Sequence, residues 1–80
     1  MTRRELYYYI KGHKCEEVFL PEGSARCVYF ENPKTGGYAT LNTPIDDREM
    51  FYTTIRAICI SLGIEIPPNL KPDPPKFSRN

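Results

Sequence analysis

This 80-residue chain has almost no excess of positive over negative charge, only one histidine and no closely spaced cysteines. Eleven basic and ten acidic side chains leave a formal net charge of +1. Since these charges are mixed along the chain, they argue against the strong positive field of a typical non-specific nucleic-acid binder, although they leave room for a local basic patch. The single histidine has no marked serine or cysteine setting around it, so no nucleophilic triad can be assembled from this sequence.

The three cysteines, Cys15, Cys27 and Cys59, are odd in number and lie far apart. They form no Cys-x-x-Cys pair and no ligand spacing with the histidine, so we predict no metal site. We interpret them as reduced, mostly buried thiols of a cytoplasmic protein. The N-terminal residues lead into tyrosines instead of a long aliphatic run, which predicts neither a signal peptide nor a membrane span. A chain of this length forms one small domain with little room for a bulky cofactor, and we expect none.

The clearest local pattern is an amphipathic helix in the second half of the chain. Asp46 and Glu49 form an Asp-x-x-Glu capping box at its predicted start. Gly63 suits the left-handed cap at its end, and the prolines that follow prevent the helix from resuming. The predicted core face consists of apolar residues at three- and four-residue spacing: Phe51, Ile55, Ile58 and Leu62.

Residues 3–11 are open to two interpretations. Thr2 and Glu5 form a capping box, and Gly12 is placed to end a helix. Three consecutive tyrosines, however, favour a strand. We prefer the helix because both end signals agree with it.

Three strands are predicted between the helices, over Cys15–Leu20, Arg26–Phe30 and Tyr38–Asn42. The loop Asn32–Gly37 joins the second and third strands, and its glycines permit a tight hairpin. The sequence therefore predicts a small α+β domain in the order α-β-β-β-α, with a three-stranded antiparallel sheet packed against two helices.

A change of composition divides the chain into a domain of residues 1–66 and a proline-rich tail of residues 67–80. Five prolines in this tail favour an extended or disordered segment. Leu70 and Phe77 are the two apolar side chains that could attach it to the domain or to a partner.

Two surfaces are candidates for binding. The first is a basic surface with aromatic neighbours that suits RNA phosphates and unpaired bases, and its residues are Lys14, Arg26, Lys34 and Arg56. The alternative is that these are ordinary solubilising charges. The second is a protein interface comprising Tyr7, Tyr8 and Ile60, the last of which falls on the polar side of its helix. His13 is the one candidate acid or base, and a solvated turn histidine is the competing interpretation.

Several segments resemble the HicA family of small mRNA interferase toxins. They are Lys-Gly-His-Lys at 11–14, Gly-Ser at 23–24, the strand at 26–30, Asn-Pro at 32–33, Thr-Ile-Arg-Ala-Ile at 54–58 and Gly-Ile at 63–64. The resemblance covers about residues 2–64. It implies a fold like that of double-stranded-RNA-binding domains, RNA as the ligand and a HicB-type antitoxin as the partner.

The family's catalytic histidine follows Gly-Ser, and here that position is occupied by Ala25. Alanine can neither accept nor donate a proton, so the family's acid–base step has no agent there. The resemblance therefore predicts a non-catalytic, HicA-like RNA-binding module. A protein–protein adaptor or inhibitor is the alternative, and an active ribonuclease that uses His13 is a third hypothesis. The sequence does not determine the oligomeric state.

Overall fold

The computed structural model describes residues 1–19, 26–68 and 70, and these contain two helices and one antiparallel sheet. The elements are α1 (Arg3–Gly12), β1 (Glu16–Val18), β2 (Cys27–Glu31), β3 (Tyr38–Asn42) and α2 (Tyr52–Leu62). The predicted order α-β-β-β-α is confirmed, and the fold is a small α+β domain.

Residues 3–11 are helical, so the preferred interpretation of this segment is confirmed. The Thr2 hydroxyl accepts a hydrogen bond from the Glu5 amide, and the Glu5 carboxylate accepts one from the Thr2 amide, which completes the capping box. Leu6 and Ile10 are buried one turn apart. Gly12 is the last helical residue, but the left-handed residue of the following turn is Lys14, with φ 67°.

The sheet has the order β1-β2-β3, so β1 and β3 form its two edges. Phe30 and Leu41 are buried on the face that the helices cover. Because side chains alternate along a strand, Tyr29 and Tyr38 lie on the opposite, open face. Their rings stack there with centroids 5.5 Å apart.

The strand boundaries differ from prediction at two places. β3 has the predicted bounds, β2 is shifted by one residue, and β1 is shorter than the predicted Cys15–Leu20. Cys15 is buried just before β1, whereas Leu20 and residues 21–25 lie outside the described part of the chain.

The predicted start of α2 is wrong. The helix begins at Tyr52 with Phe51 as its N-cap, and no side chain caps it. The chain before it is extended and pairs with the N-terminal residues through a bridge between Thr2 and Glu49. The Asp46 carboxylate instead accepts a hydrogen bond from the Arg48 amide in a local turn. Tertiary pairing with the N-terminus therefore outweighs the local capping signal.

A second error concerns the core face of α2. Ile55, Ile58 and Leu62 are buried as predicted, but Phe51 is 68% exposed because it precedes the helix. The predicted end is confirmed, since Gly63 adopts the left-handed conformation with φ 70°. The amide of Ile64 donates to the carbonyl of Cys59, as in a Schellman motif.

The core is formed by both helices and the sheet, and its apolar residues are Leu6, Ile10, Cys15, Phe30, Leu41, Ile55, Ile58, Cys59 and Leu62. Packing continues after Ile66, because Pro67 is buried and Leu70 packs against the core. The predicted attachment through Leu70 is thus present. Phe77 and the rest of residues 71–80 lie outside the described part, and the division at residue 66 stays a prediction.

Candidate functional site

Two of the four predicted basic residues meet at one end of the domain. The cleft there, which we call the hairpin cleft, has a volume of about 430 Å³. Three segments form it: the end of α1, the β2–β3 loop and the chain after α2. Its described lining consists of His13, Lys14, Asn32, Pro33, Lys34, Thr35, Gly63, Ile64 and Glu65.

Hydrogen bonds hold the β2–β3 loop against the end of α2. The buried Asn32 side chain donates through Nδ2 to the Leu62 carbonyl over 2.8 Å. Its Oδ1 accepts from the Lys34 amide at 3.0 Å, and the Thr35 hydroxyl donates to the same Leu62 carbonyl at 3.0 Å. A Cβ at Gly37 would overlap backbone at the end of α2, so this position requires glycine for close approach. The loop that carries Lys34 is therefore held in place from both ends.

His13 lies beside an aromatic ring and not beside a nucleophile. Its ring centroid is 4.5 Å from that of Tyr9, and the Tyr9 hydroxyl donates to the Glu65 carbonyl at 2.6 Å. Burial, together with nearby Cys59 and Glu65, raises the pKa of the Tyr9 phenol. The described lining of the hairpin cleft contains no serine and no cysteine. The arrangement can bind an anion, and its described lining holds no thiol and one hydroxyl, that of Thr35, which donates to the Leu62 carbonyl.

Lys14 adopts a backbone conformation that is unusual for lysine. With φ 67°, it is the one described residue other than glycine in the left-handed region, which costs about 1 kcal/mol. Its ammonium and that of Lys34 belong to exposed side chains of the same cleft, where Glu65 supplies the carboxylate among the described lining residues. Two cations and a histidine against one acid give this cleft a positive local balance, although the whole chain is nearly neutral.

Arg26 lies at the other end of β2. Arg26 and Asn32 are six positions apart, and roughly 20 Å of extended chain therefore separates Arg26 from the hairpin cleft. A second cleft forms around Arg26, and its lining residues are Arg3, Arg26, Asn42, Thr43 and Pro44. Arg56 is exposed on α2 and lines neither cleft. The four predicted basic residues therefore occupy three separate places.

The predicted protein interface is likewise divided. Tyr8 is 65% exposed on α1, and Ile60 is 55% exposed on α2. Tyr7 is half-buried, with its ring 5.6 Å from that of Phe30. The Tyr7 hydroxyl donates to Glu17 at 2.7 Å, and this hydrogen bond raises the pKa of the phenol. Tyr7 thus contributes mainly to packing between α1 and the sheet.

Sequence reasoning did not identify the residues that shape the two clefts. Asn32, Thr35 and Gly37 were assigned only to a hairpin loop, and Arg3 was not singled out. The loop residues carried a usable signal, because an asparagine before proline with threonine and two glycines is a recurrent setting for side chain-to-backbone hydrogen bonds. The sequence gives no comparable signal for Arg3. Its place in the second cleft depends on contact between the start of α1 and the chain at the end of β3, which lie far apart in sequence.

Three further findings concern metal ligands, membrane-spanning helices and the position of Ala25. Among the described residues, no group of three or more His, Cys, Asp or Glu side chains could hold a metal ion. None of the described helices is long and apolar enough to cross a bilayer. Ala25 falls outside the described part of the chain, directly before Arg26.

The fold and these clefts define a small α+β domain with basic clefts at opposite ends of its central strand. No protein-family model, no curated protein and no solved structure matches this chain.

Proposed function

We propose that this protein is a non-catalytic, HicA-like module that binds RNA through the hairpin cleft. The observation that carries the proposal is the convergence of Lys14 and Lys34, twenty positions apart in sequence, on one cleft. Phosphate contacts from such cations supply most of the affinity in RNA recognition, and the nearby Tyr9 and His13 rings add aromatic surface.

The backbone of Lys14 supports a role beyond solubility. Glycine would occupy a left-handed position without strain, so a lysine there keeps its charge at a local energetic cost. The fold supports the resemblance at a coarse level, since the order of helices and strands is the one expected of a HicA-like chain. A cytoplasmic location and a HicB-type antitoxin as partner belong to the same proposal.

The absence of catalysis follows from two features of the sequence and the cleft. Ala25 occupies the position of the family's histidine and cannot transfer a proton. His13 lines the hairpin cleft, whose described lining offers no thiol and one hydroxyl, that of Thr35, which donates to the Leu62 carbonyl at 3.0 Å.

The test is a gel-shift titration of the full chain with single-stranded and hairpin RNA, in which the same lanes are examined for cleavage. If Lys14 and Lys34 each contact one phosphate, the logarithm of the affinity for single strands should fall with log salt with a slope of about −1.4. Raising the salt fourfold should then weaken binding by roughly 7-fold. The variant Lys14→Ala/Lys34→Ala should remove most of that slope.

Lys11→Ala is the matched control. Lys11 is likewise an exposed lysine, in the last turn of α1, but its ammonium lies 3.7 Å from Glu17 and it does not line the hairpin cleft. Salt-independent binding, or equal losses in the control and the double variant, would contradict the proposal. RNA cleavage that disappears in His13→Ala would replace the non-catalytic module with a ribonuclease.

A further inference from the structure

Within the described part of the chain, the edge of the sheet formed by β3 lacks the usual protection against pairing with another chain. Sheet edges in soluble proteins are commonly shielded by charged residues, proline or a bulge. β3 has the sequence Tyr-Ala-Thr-Leu-Asn and contains neither a charge nor a proline. It pairs with β2 on one side, and no described strand lies on its other side.

The hydrogen-bonding pattern identifies which backbone groups of β3 point outward. At the two ends of the hairpin, the Asn32 amide donates to the Gly37 carbonyl and the Thr43 amide donates to the Arg26 carbonyl. Hydrogen-bonded pairs alternate along an antiparallel ladder, so Ala39 and Leu41 face β2. The amides and carbonyls of Tyr38, Thr40 and Asn42 therefore point away from the sheet.

A groove of mixed polarity, with apolar side chains among its lining residues, runs beside this edge between β3 and the first half of α2. Its volume is about 640 Å³. Leu41 and Ile58 contribute to its floor, Ala57 lies on the α2 side, and Met50 and the 68%-exposed Phe51 lie at the turn before the helix. Strand addition requires unpaired backbone groups at a sheet edge and apolar pockets beside them. The backbone groups supply affinity for an extended peptide, and the pockets select alternate side chains of that peptide.

The charges around the groove favour an acidic occupant. Arg3 and the exposed Arg48 line it. The one lining carboxylate, Glu49, accepts a hydrogen bond from the Met1 amino group at 3.0 Å, so its charge is compensated within the domain. An incoming segment with a carboxylate at this end would face the exposed Arg48, beside Arg3, whose guanidinium donates to the Pro44 carbonyl at 3.2 Å.

We infer that β3 and the adjoining groove bind an extended segment of a partner protein, which adds a fourth strand to the sheet. The segment has apolar side chains at alternate positions and an aspartate or glutamate near Arg48. This site is separate from the hairpin cleft and does not depend on RNA binding, so either assignment can fail alone.

The first measurement is amide hydrogen exchange by NMR on the free protein. The amides of Tyr38, Thr40 and Asn42 should exchange at least tenfold faster than those of Ala39 and Leu41. The probe for binding is a phage-displayed library of random 12-residue peptides selected against the full chain. Synthetic copies of the enriched peptides are then titrated. They should alternate apolar residues, contain an acidic residue and slow the exchange of the three outward amides.

Two variants on one helix separate this groove from the general surface. Ala57→Glu places bulk and negative charge in the groove and should weaken peptide binding at least tenfold. Ser61→Glu adds the same charge at an exposed position of α2 outside the groove, one turn further along the helix, and should leave the affinity within twofold. RNA binding at the hairpin cleft should be unaffected by Ala57→Glu.

Thr40→Pro tests the strand pairing itself, because it removes an outward amide without removing a bond to β2. It should abolish binding. If circular dichroism shows that Thr40→Pro does not fold, Ala57→Glu and the exchange pattern decide the question. Uniform exchange along β3, no enriched peptide, equal effects of the two glutamate variants, or displacement of the peptide by RNA would each overturn the inference.

Discussion

Asn32→Ala should be among the most destabilising single substitutions in the described part of the chain outside the apolar core. The Asn32 side chain is 5% exposed and links the β2–β3 loop to the end of α2. The substitution removes its bond to the Leu62 carbonyl and its bond from the Lys34 amide. Since each buried hydrogen bond contributes about 1 kcal/mol net, we expect a loss of about 2 to 3 kcal/mol. For a domain of this size, the loss corresponds to a fall in Tm of roughly 10 to 20 °C.

The Leu62 carbonyl allows a stricter test, because two side chains donate to it. After Asn32→Ala, the Thr35 hydroxyl still bonds to this oxygen, and after Thr35→Val the Asn32 amide still does. Only the double variant leaves the carbonyl without a side-chain donor. The double variant should therefore cost about 1 kcal/mol or more beyond the sum of the single variants.

The assay is urea unfolding at 25 °C followed by circular dichroism, with the free energy of unfolding taken from curves of equal slope. Lys34→Ala is the control, since it lies in the same loop but its side chain is exposed, and it should change stability by less than about 0.5 kcal/mol. A cost below about 1 kcal/mol for Asn32→Ala, or strict additivity with Thr35→Val, would refute the assignment of these two residues as the anchors of the loop.

Three other perturbations follow from the structure. In urea titrations, Gly37→Ala should destabilise the domain by about 1 to 3 kcal/mol, because the new methyl group overlaps the backbone of α2. Gly12→Ala should be neutral or stabilise the domain by up to ~1 kcal/mol, because no atom lies within 4 Å of the added Cβ. Lys14→Gly should stabilise the domain by about 1 kcal/mol and weaken RNA binding in gel shifts. Iodoacetamide at pH 8 should alkylate half-buried Cys27 before Cys59, as peptide mass spectrometry would show. Burial raises the pKa of the Cys59 thiol from 9.0 to about 11, which makes its reactive thiolate roughly 100-fold scarcer.

Each of these expectations has a contrary outcome. Equal effects of the two glycine substitutions would mean that the loop does not approach α2 closely. A destabilising Lys14→Gly would show that the lysine side chain contributes more to folding than its backbone strain costs. Alkylation of Cys59 at the rate of Cys27 would show that the helix α2 opens readily in solution.

The two ends of α2 illustrate where sequence reasoning succeeds and where it fails. Its C-terminus was predicted correctly because Gly63 and the prolines restrict the backbone over a few residues, whatever the rest of the chain does. Its N-terminus was predicted five residues too early, with Asp46 instead of Phe51 as the N-cap. Asp46 and Glu49 are adequate capping residues, but this segment pairs with the N-terminal residues, which lie more than forty positions away.

The candidate sites show the same division. Lys14 and Lys34 were selected by residue type, and the fold brings them together through the loop that Asn32 anchors. Arg26 and Arg56 were selected on the same grounds, yet the fold places them elsewhere. Residue type indicates which side chains can contact phosphate, and it carries no information about which of them share a surface.

The sequence by itself determined the α-β-β-β-α order, the capping box of α1, the bounds of β3 and the glycine end of α2. These features depend on backbone preferences, side-chain periodicity and caps, whose effects reach only a few residues along the chain. The tertiary structure decided where α2 begins, which basic residues meet, and which sheet edge lies beside a groove. Such features arise from contacts between residues far apart in sequence, and their free energies exceed the small local preferences that a sequence pattern reports.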